Sequence, residues 1–400
     1  MVPHLYVHVP FCVRRCSYCD FSIAVRKRIP AGEYVDAVLW ELEMVRAADP
    51  GAVPRGTPDD ALDTLYLGGG TPSLLPVDAL AALLTSLRDA FGATSSRDAS
   101  SVTSFRSCAT SLRDDVEVTL EANPEDVEPE HARAWRRAGV NRVSLGAQSF
   151  DDRVLTWMHR SHDAARIGAA VRTLRGAGID NISLDLIFAL PAELKRDWER
   201  DLEMAVSLRP EHLSLYGLTV EERTPLARWI SRGAIVPPEE DEYAAEYLVA
   251  HARLATCGYR FYEVSNACHD GFRSRHNSAY WSGRPYLGLG PAAHSYDGRA
   301  RRWNVPAWHG YARAIAAGRS PVESEEILTP EQRELERVYL SLRTDAGLSL
   351  NSLHRPPAPF TAWLAAGWVQ LQGERLTCTP QGWLRLDALV ADLTGASAVG

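Results

Sequence analysis

Six short β-rich runs recur along the first 220 residues, each followed by a stretch with helical spacing, and this alternation limits the possible folds more than any other feature. The runs are LYVHVP (5–10), LDTLYLG (62–68), VEVTLEA (116–122), RVSLGAQ (142–148), ISLDLIF (182–188) and HLSLYGL (212–218). Between them apolar residues fall at helical intervals, as Tyr34, Val38, Leu42 and Val45 do, or Leu80, Leu83, Leu84 and Leu87. Parallel strands need a crossover between them and a helix supplies it, so the chain reads as α/β with a parallel sheet and helices outside. A doubly wound sheet and a barrel both satisfy that pattern.

The strand ends decide between the two. Cys12, the Gly68–Gly70 run, Glu121, Gln148, Asp185 and Tyr216 close successive runs with groups a plain core would not choose. Burying an unpaired carboxylate costs several kcal/mol, so Glu121 and Asp185 either face a ligand-filled mouth, cap helices or pair with cations. A barrel collects its strand C-termini at one rim, where such a mouth belongs. The expected architecture is a partial (β/α)6 barrel over residues 1–220, extended by 221–320, where GYRFYEVSNACHDGF (258–272) holds a possible seventh strand.

Residues 321–400 read as a separate helical, winged-helix-like domain: a helix in TPEQRELERVYLSLR, then a hairpin turning at Gly373. DNA binding does not follow, because this stretch carries six Arg, no Lys and ten Asp or Glu, a net −4, whereas phosphate contacts need a basic face. Residues 93–114, with seven Ser and three Thr, read as an exposed insertion, and Cys108 within it as a bystander. Cys257 and Cys378 read as small core residues.

The whole chain has a net charge of −8, which gives no footprint for nucleic acid or an anionic membrane. No apolar run approaches the roughly 18 residues of a membrane span, and residues 1–10 are too short for a signal peptide. A cytoplasmic protein is expected. Seven cysteines in such a chain favour metal or redox chemistry over disulfides.

Three of them, Cys12, Cys16 and Cys19, sit in VPFCVRRCSYCDF (9–21). A free thiol is only about 3 per cent thiolate at pH 7, whereas a bound metal deprotonates it outright. The C-x3-C-x2-C spacing has no neighbouring Cys or His as a fourth ligand, so a tetrahedral zinc would lack a corner and a cubane would keep one open iron. An open iron is a place for a substrate or cofactor.

This spacing, with Tyr18 before the last cysteine and the first strand of a βα barrel before the loop, resembles the signature of radical S-adenosylmethionine enzymes. The resemblance implies a [4Fe–4S] cluster on the three cysteines, S-adenosylmethionine chelating the open iron, and an electron donor whose reduction of the cluster leads to cleavage of the sulfonium C–S bond. The chain is similar in particular to the anaerobic coproporphyrinogen oxidase-like branch. That match implies S-adenosylmethionine contacts from Tyr6 and Tyr18, from Gly69, Gly70 and Thr71 in GGGTPS, and from Glu121, Gln148, Arg160 and Asp185. The branch's Gly in G-L-P is Ala189 here.

The branch contains an oxygen-independent oxidase that decarboxylates propionates of coproporphyrinogen III, and heme chaperones that deliver heme to respiratory proteins. Three features favour the chaperones. The oxidase pattern adds a fourth cysteine two positions after the third, where this chain has Phe21. The oxidase also carries an N-terminal arm, whereas the first strand here begins by residue 5. HNSAYW (276–281) matches the H-N-x-x-Y-W element associated with heme in the chaperones. That element implies His276 as an iron ligand, with Asn277, Tyr280 and Trp281 beside the porphyrin. Cys268 and His269 are alternative ligands. The implied partners are heme, heme-accepting respiratory proteins and the electron donor, with no nucleic acid and no transmembrane segment. Whether S-adenosylmethionine is cleaved, and so whether the chain is an enzyme, stays open.

Overall fold

The computed structural model describes residues 2–49, 62–91, 116–352 and 360–395. The Ser-rich 93–114 stretch and Cys108 lie outside the described residues. All six expected strands form: β1 (His4–Val9), β2 (Thr64–Gly69), β3 (Glu117–Ala122), β4 (Arg142–Gln148), β5 (Asn181–Phe188) and β6 (His212–Gly217). They pair in sequence order and all in parallel, as the strands of a partial (β/α)6 barrel. Helices such as Ala31–Ala48, Val77–Phe91 and Ala164–Gly176 make the crossovers. Asp151, Asp163 and Asp197 accept backbone N–H groups at helix N-termini, which fixes where those helices begin.

Two findings differ from the sequence reading. The 258–272 stretch yields a short antiparallel pair, β7 (Arg260–Phe261) and β8 (Asn266–Cys268), with β8 laid antiparallel on β6. On the opposite edge, β9 (Leu287–Leu289) pairs in parallel with β1. The sheet therefore runs β9-β1-β2-β3-β4-β5-β6-β8-β7, and its outermost strands do not pair with each other.

Alternation along the strands sorts their side chains. Leu5, Val7 and Val9 of β1, Leu65 and Leu67 of β2, and Ile182, Leu184 and Leu186 of β5 enter the buried core under the helices. The alternate positions line the lumen, and they are polar: Tyr6 and His8, Thr64 and Tyr66, Thr119 and Glu121, Ser183 and Asp185. A lumen of this composition cannot be filled by aliphatic layers, so its polar groups must satisfy one another or a ligand.

At the N-terminal end they satisfy one another. Thr64 Oγ1 lies 3.0 Å from His4 Nδ1 and 2.7 Å from His276 Nδ1. The Glu117 carboxylate accepts the backbone N–H groups of Arg275 and His276, each at 3.0 Å. Ser183 Oγ meets His212 Nδ1 at 2.8 Å, and His212 Nε2 meets the Tyr262 hydroxyl at 2.9 Å. The helix Arg275–Trp281 thus plugs this end of the barrel. Burial lowers His4 to about 4 and His276 to about 3, so both rings are neutral near pH 7.

Beyond the barrel, β10 (His294–Tyr296), β11 (Ala300–Asn304) and β12 (Val322–Ile327) form an antiparallel sheet. The helix Pro330–Arg343 follows, opened by a capping box between Thr329 and Gln332. Three more antiparallel strands, β13 (Leu348–Ser349), β14 (Val369–Gln372) and β15 (Arg375–Cys378), pack with it, and the β14–β15 hairpin turns at Gly373, whose φ is 60°. Val338, Leu342, Trp363 and Leu376 belong to a second core there. Among the described residues no helix is long and apolar enough to cross a membrane.

Just past β5, Ala189 adopts a φ of 54°. Its N–H donates to Glu246 Oε2 at 2.6 Å, which holds the backbone there. The left-handed region costs a residue with a Cβ about 1–2 kcal/mol. Ala189→Gly is therefore expected to raise stability by about 0.5–1 kcal/mol after allowing for the looser unfolded chain, read as a higher urea midpoint at unchanged slope. A lower midpoint would contradict this.

Candidate functional site

The C-terminal rim of the barrel opens into a cavity of ≈ 410 Å³. β1 runs through Pro10 into Phe11–Cys12, which pairs with Ala24–Val25 and so closes the loop carrying Cys16 and Cys19. Ser17 anchors that loop, donating its N–H to the Met158 carbonyl at 3.2 Å and accepting from Leu226 N at 2.9 Å. All three cysteines line the cavity. Cys12 Sγ lies 3.4 Å from Thr71 Oγ1. Arg160 reaches Cys16 Sγ through Nη1 at 3.6 Å, while its Nη2 donates to the Gly146 carbonyl at 3.0 Å and to Asn123 Oδ1. Burial raises the Cys12 thiol, and it pushes Cys19 up to about 11, so these groups keep their protons until a metal displaces them.

The glycine run lets two backbones meet. Gly69 has a φ of 109°, and a Cβ there would lie 2.6 Å from the His8 ring. At Gly70 a Cβ would meet the Phe11 carbonyl oxygen at 2.8 Å. Gly69 N donates to Glu121 Oε2 at 3.0 Å, and the Tyr66 hydroxyl donates to Oε1 at 2.8 Å. Ser144 Oγ lies 2.9 and 3.0 Å from the two oxygens of Asp185, with Ser183 Oγ at 3.3 Å. Burial raises Glu121 to about 7 and Asp185 to about 6. Neither carboxylate caps a helix or forms an ion pair among the described residues, and both line the cavity, so they take the mouth-facing alternative. Gln148 sits at a register irregularity with a φ of 67°, which turns it at the rim.

Every residue expected at S-adenosylmethionine lines this cavity except Tyr6. Tyr6 faces a second cavity, of ≈ 750 Å³, and its hydroxyl meets His8 Nδ1 at 3.1 Å. Among the lining residues, Tyr66, Asn123 and Ser144 escaped the sequence reading. For Tyr66 and Ser144 the period-2 alternation of polar residues within β2 and β4 was the available signal.

The H-N-x-x-Y-W element divides. Tyr280 and Trp281 line the second cavity. His276 is 1% exposed, and its Nε2 meets the Tyr280 hydroxyl at 2.7 Å while Thr64 holds Nδ1, so neither nitrogen is available to iron in this arrangement. Asn277 donates its N–H to Ser274 Oγ at the helix start and lines neither cavity. Cys268 is buried in β8, and His269 lies against Tyr259 with ring centroids 4.0 Å apart; neither lines either of these two cavities.

The Radical SAM superfamily model matches residues 6–205 and the HemN C-terminal domain model residues 328–385. Heme chaperone HemW of Mycobacterium tuberculosis is 38% identical over 394 residues, covering 98% of this chain and 94% of the relative. The chain belongs to the HemW family of radical SAM proteins. HemW of Bacillus subtilis is 33% identical over 344 residues, covering 86% of this chain and 84% of the relative. Coproporphyrinogen III oxidase (HemN) from Escherichia coli, a radical SAM enzyme, shares the fold with a TM-score of 0.75 over 98% of this chain and 89% of that one, at 22% identity.

The radical SAM family implies a [4Fe–4S] cluster and S-adenosylmethionine, and the donor set suits both. Among the described residues no three His, Cys, Asp or Glu side chains are placed to share one metal ion. A cubane asks for one thiolate for each of three irons rather than three on one metal, and three cysteines border this cavity.

Proposed function

We propose that this protein is a cytosolic heme chaperone that binds a [4Fe–4S] cluster, S-adenosylmethionine and heme, and delivers heme to respiratory hemoproteins. The observation that carries the reading is the near full-length similarity to HemW chaperones. Phe21, 60% exposed at the rim where the oxidase pattern has a fourth cysteine, supports it.

In this reading Cys12, Cys16 and Cys19 hold three irons, and the bound cluster supplies a single electron to the sulfonium cofactor. Arg160, fixed by Asn123 and the Gly146 carbonyl, places a guanidinium beside the Cys16 sulfur. Glu121 and Asp185 take the cofactor's positive amine and hydroxyls, and the Gly69–Gly70 backbone lets its methionine end approach closely.

The raised carboxyls set a pH dependence. Glu121 near 7 and Asp185 near 6 are protonated below those values and lose their attraction for a cation. Affinity for S-adenosylmethionine, measured by calorimetry on the reconstituted protein, is expected to rise about tenfold from pH 6 to 8. Glu121→Gln should be weaker and flatter across that range; an equally steep profile would contradict the assignment. The fold without ligand follows the opposite sign: both acids are raised, so their contribution is full below about 4 and is lost as pH rises toward 7.

The deciding experiment supplies the reconstituted protein, S-adenosylmethionine and a reductant with either heme and an apocytochrome or coproporphyrinogen III. Heme transfer without porphyrinogen turnover is expected. Multiple-turnover formation of protoporphyrinogen would identify an oxidase instead.

A further inference from the structure

The second cavity has no part in cluster or cofactor binding as described above, yet it is the larger of the two, at ≈ 750 Å³ against ≈ 410 Å³. It lies against the lumen face of β1 and is bordered by β10, β11 and the helix Pro330–Arg343. Its walls are aromatic. Tyr280 and Tyr286 meet edge to face with centroids 4.5 Å apart, Tyr296 continues the row at 6.4 Å, and Trp281 adds an indole.

Four arginines and Glu336 stand on the border, where Arg284, Arg301 and Arg337 pair with Asp63, Glu336 and Glu334. Arg333 is exposed on the helix face that closes the cavity, and no hydrogen bond or ion pair among the described residues engages its guanidinium. Flat apolar walls with an uncommitted guanidinium at the edge suit a planar apolar ligand bearing carboxylates. Two histidines line the space. His8 is engaged at both nitrogens, by the Tyr6 hydroxyl at 3.1 Å and the Ser22 carbonyl at 3.2 Å. His294 is exposed, stands beside Trp303 with centroids 5.9 Å apart, and has neither ring nitrogen in a hydrogen bond among the described residues.

We infer that heme occupies this second cavity, with His294 rather than His276 as its iron ligand and Arg333 facing a propionate. This placement rests on the heme-binding reading proposed above and specifies its site. His276 remains the plug of the barrel. Heme held here also lies close to the cluster cavity, because Tyr6 lines one space, Tyr66 lines the other, and their rings stack with centroids 6.1 Å apart. Gly68 keeps that wall thin, since a Cβ there would lie 2.9 Å from the Tyr66 ring and 3.0 Å from Tyr6.

The test is anaerobic titration of the cluster-reconstituted full chain with hemin, followed by difference absorption, with far-UV circular dichroism as the folding control. His294→Ala should weaken binding about tenfold and shift the Soret band, and free imidazole should restore the band. Arg333→Glu should weaken binding about tenfold with the band unmoved, since it alters a carboxylate contact and not the iron. If the parent binds hemin and both variants match it in affinity and spectrum, the site is overturned while the chaperone reading stands. If the parent takes up no hemin, the chaperone reading falls and this site with it.

Discussion

Cys16→Ala is expected to abolish the cluster: anaerobic reconstitution should leave under about one iron per chain where the parent takes up about four iron and four sulfide. Each thiolate holds one iron, so removing one leaves two irons without a protein ligand. No spare cysteine among the described residues can replace it. Cys268 is buried in β8, while Cys257 and Cys378 pack against the hydrophobic core. The fold should survive, because Cys16 is only half-buried and Arg160 keeps its Asn123 and Gly146 partners. The checks are iron and sulfide content, the brown absorption and an unchanged far-UV circular dichroism spectrum. A variant with a full cluster would contradict the ligand assignment.

His276→Ala is expected to destabilise the protein by about 3–5 kcal/mol, an effect on the barrel itself. The substitution removes a buried ring, leaves a cavity beneath Tyr66, deprives the Tyr280 hydroxyl of its partner and leaves Thr64 Oγ1 with His4 alone. The deserted Tyr280 hydroxyl adds about 1–3 kcal/mol to the cost of the lost packing. Urea denaturation of parent and variant measures the difference. A loss below about 1 kcal/mol would contradict the role of the helix Arg275–Trp281 as a plug.

The six central strands were legible because each combines leucine or isoleucine with β-branched or aromatic residues and has a helical stretch behind it, and their ends match the observed strands within a residue or two. β9 was not legible: LGL between a tyrosine and a glycine is too short to show a period, and only pairing with β1 makes it a strand. At the site, the terminal residues stood out because a carboxylate or glutamine after an apolar run is conspicuous. Tyr66 and Ser144 did not, since a single tyrosine or serine within a strand looks ordinary until its neighbours across the lumen are known. The HNSAYW stretch shows the other limit. A spacing of four residues places His276 and Tyr280 on one helix face, but nothing local reveals that Thr64, 212 residues away in the chain, occupies the remaining nitrogen.

An iron left open by three cysteines and taken by S-adenosylmethionine is the centre on which the rest depends. Electron paramagnetic resonance of the anaerobically reconstituted, dithionite-reduced protein, recorded with and without S-adenosylmethionine, tests it most directly. The prediction is the signal of a reduced [4Fe–4S] cluster whose line shape changes when the cofactor is added. A zinc-loaded or iron-free protein, or a cluster signal indifferent to S-adenosylmethionine, would contradict it.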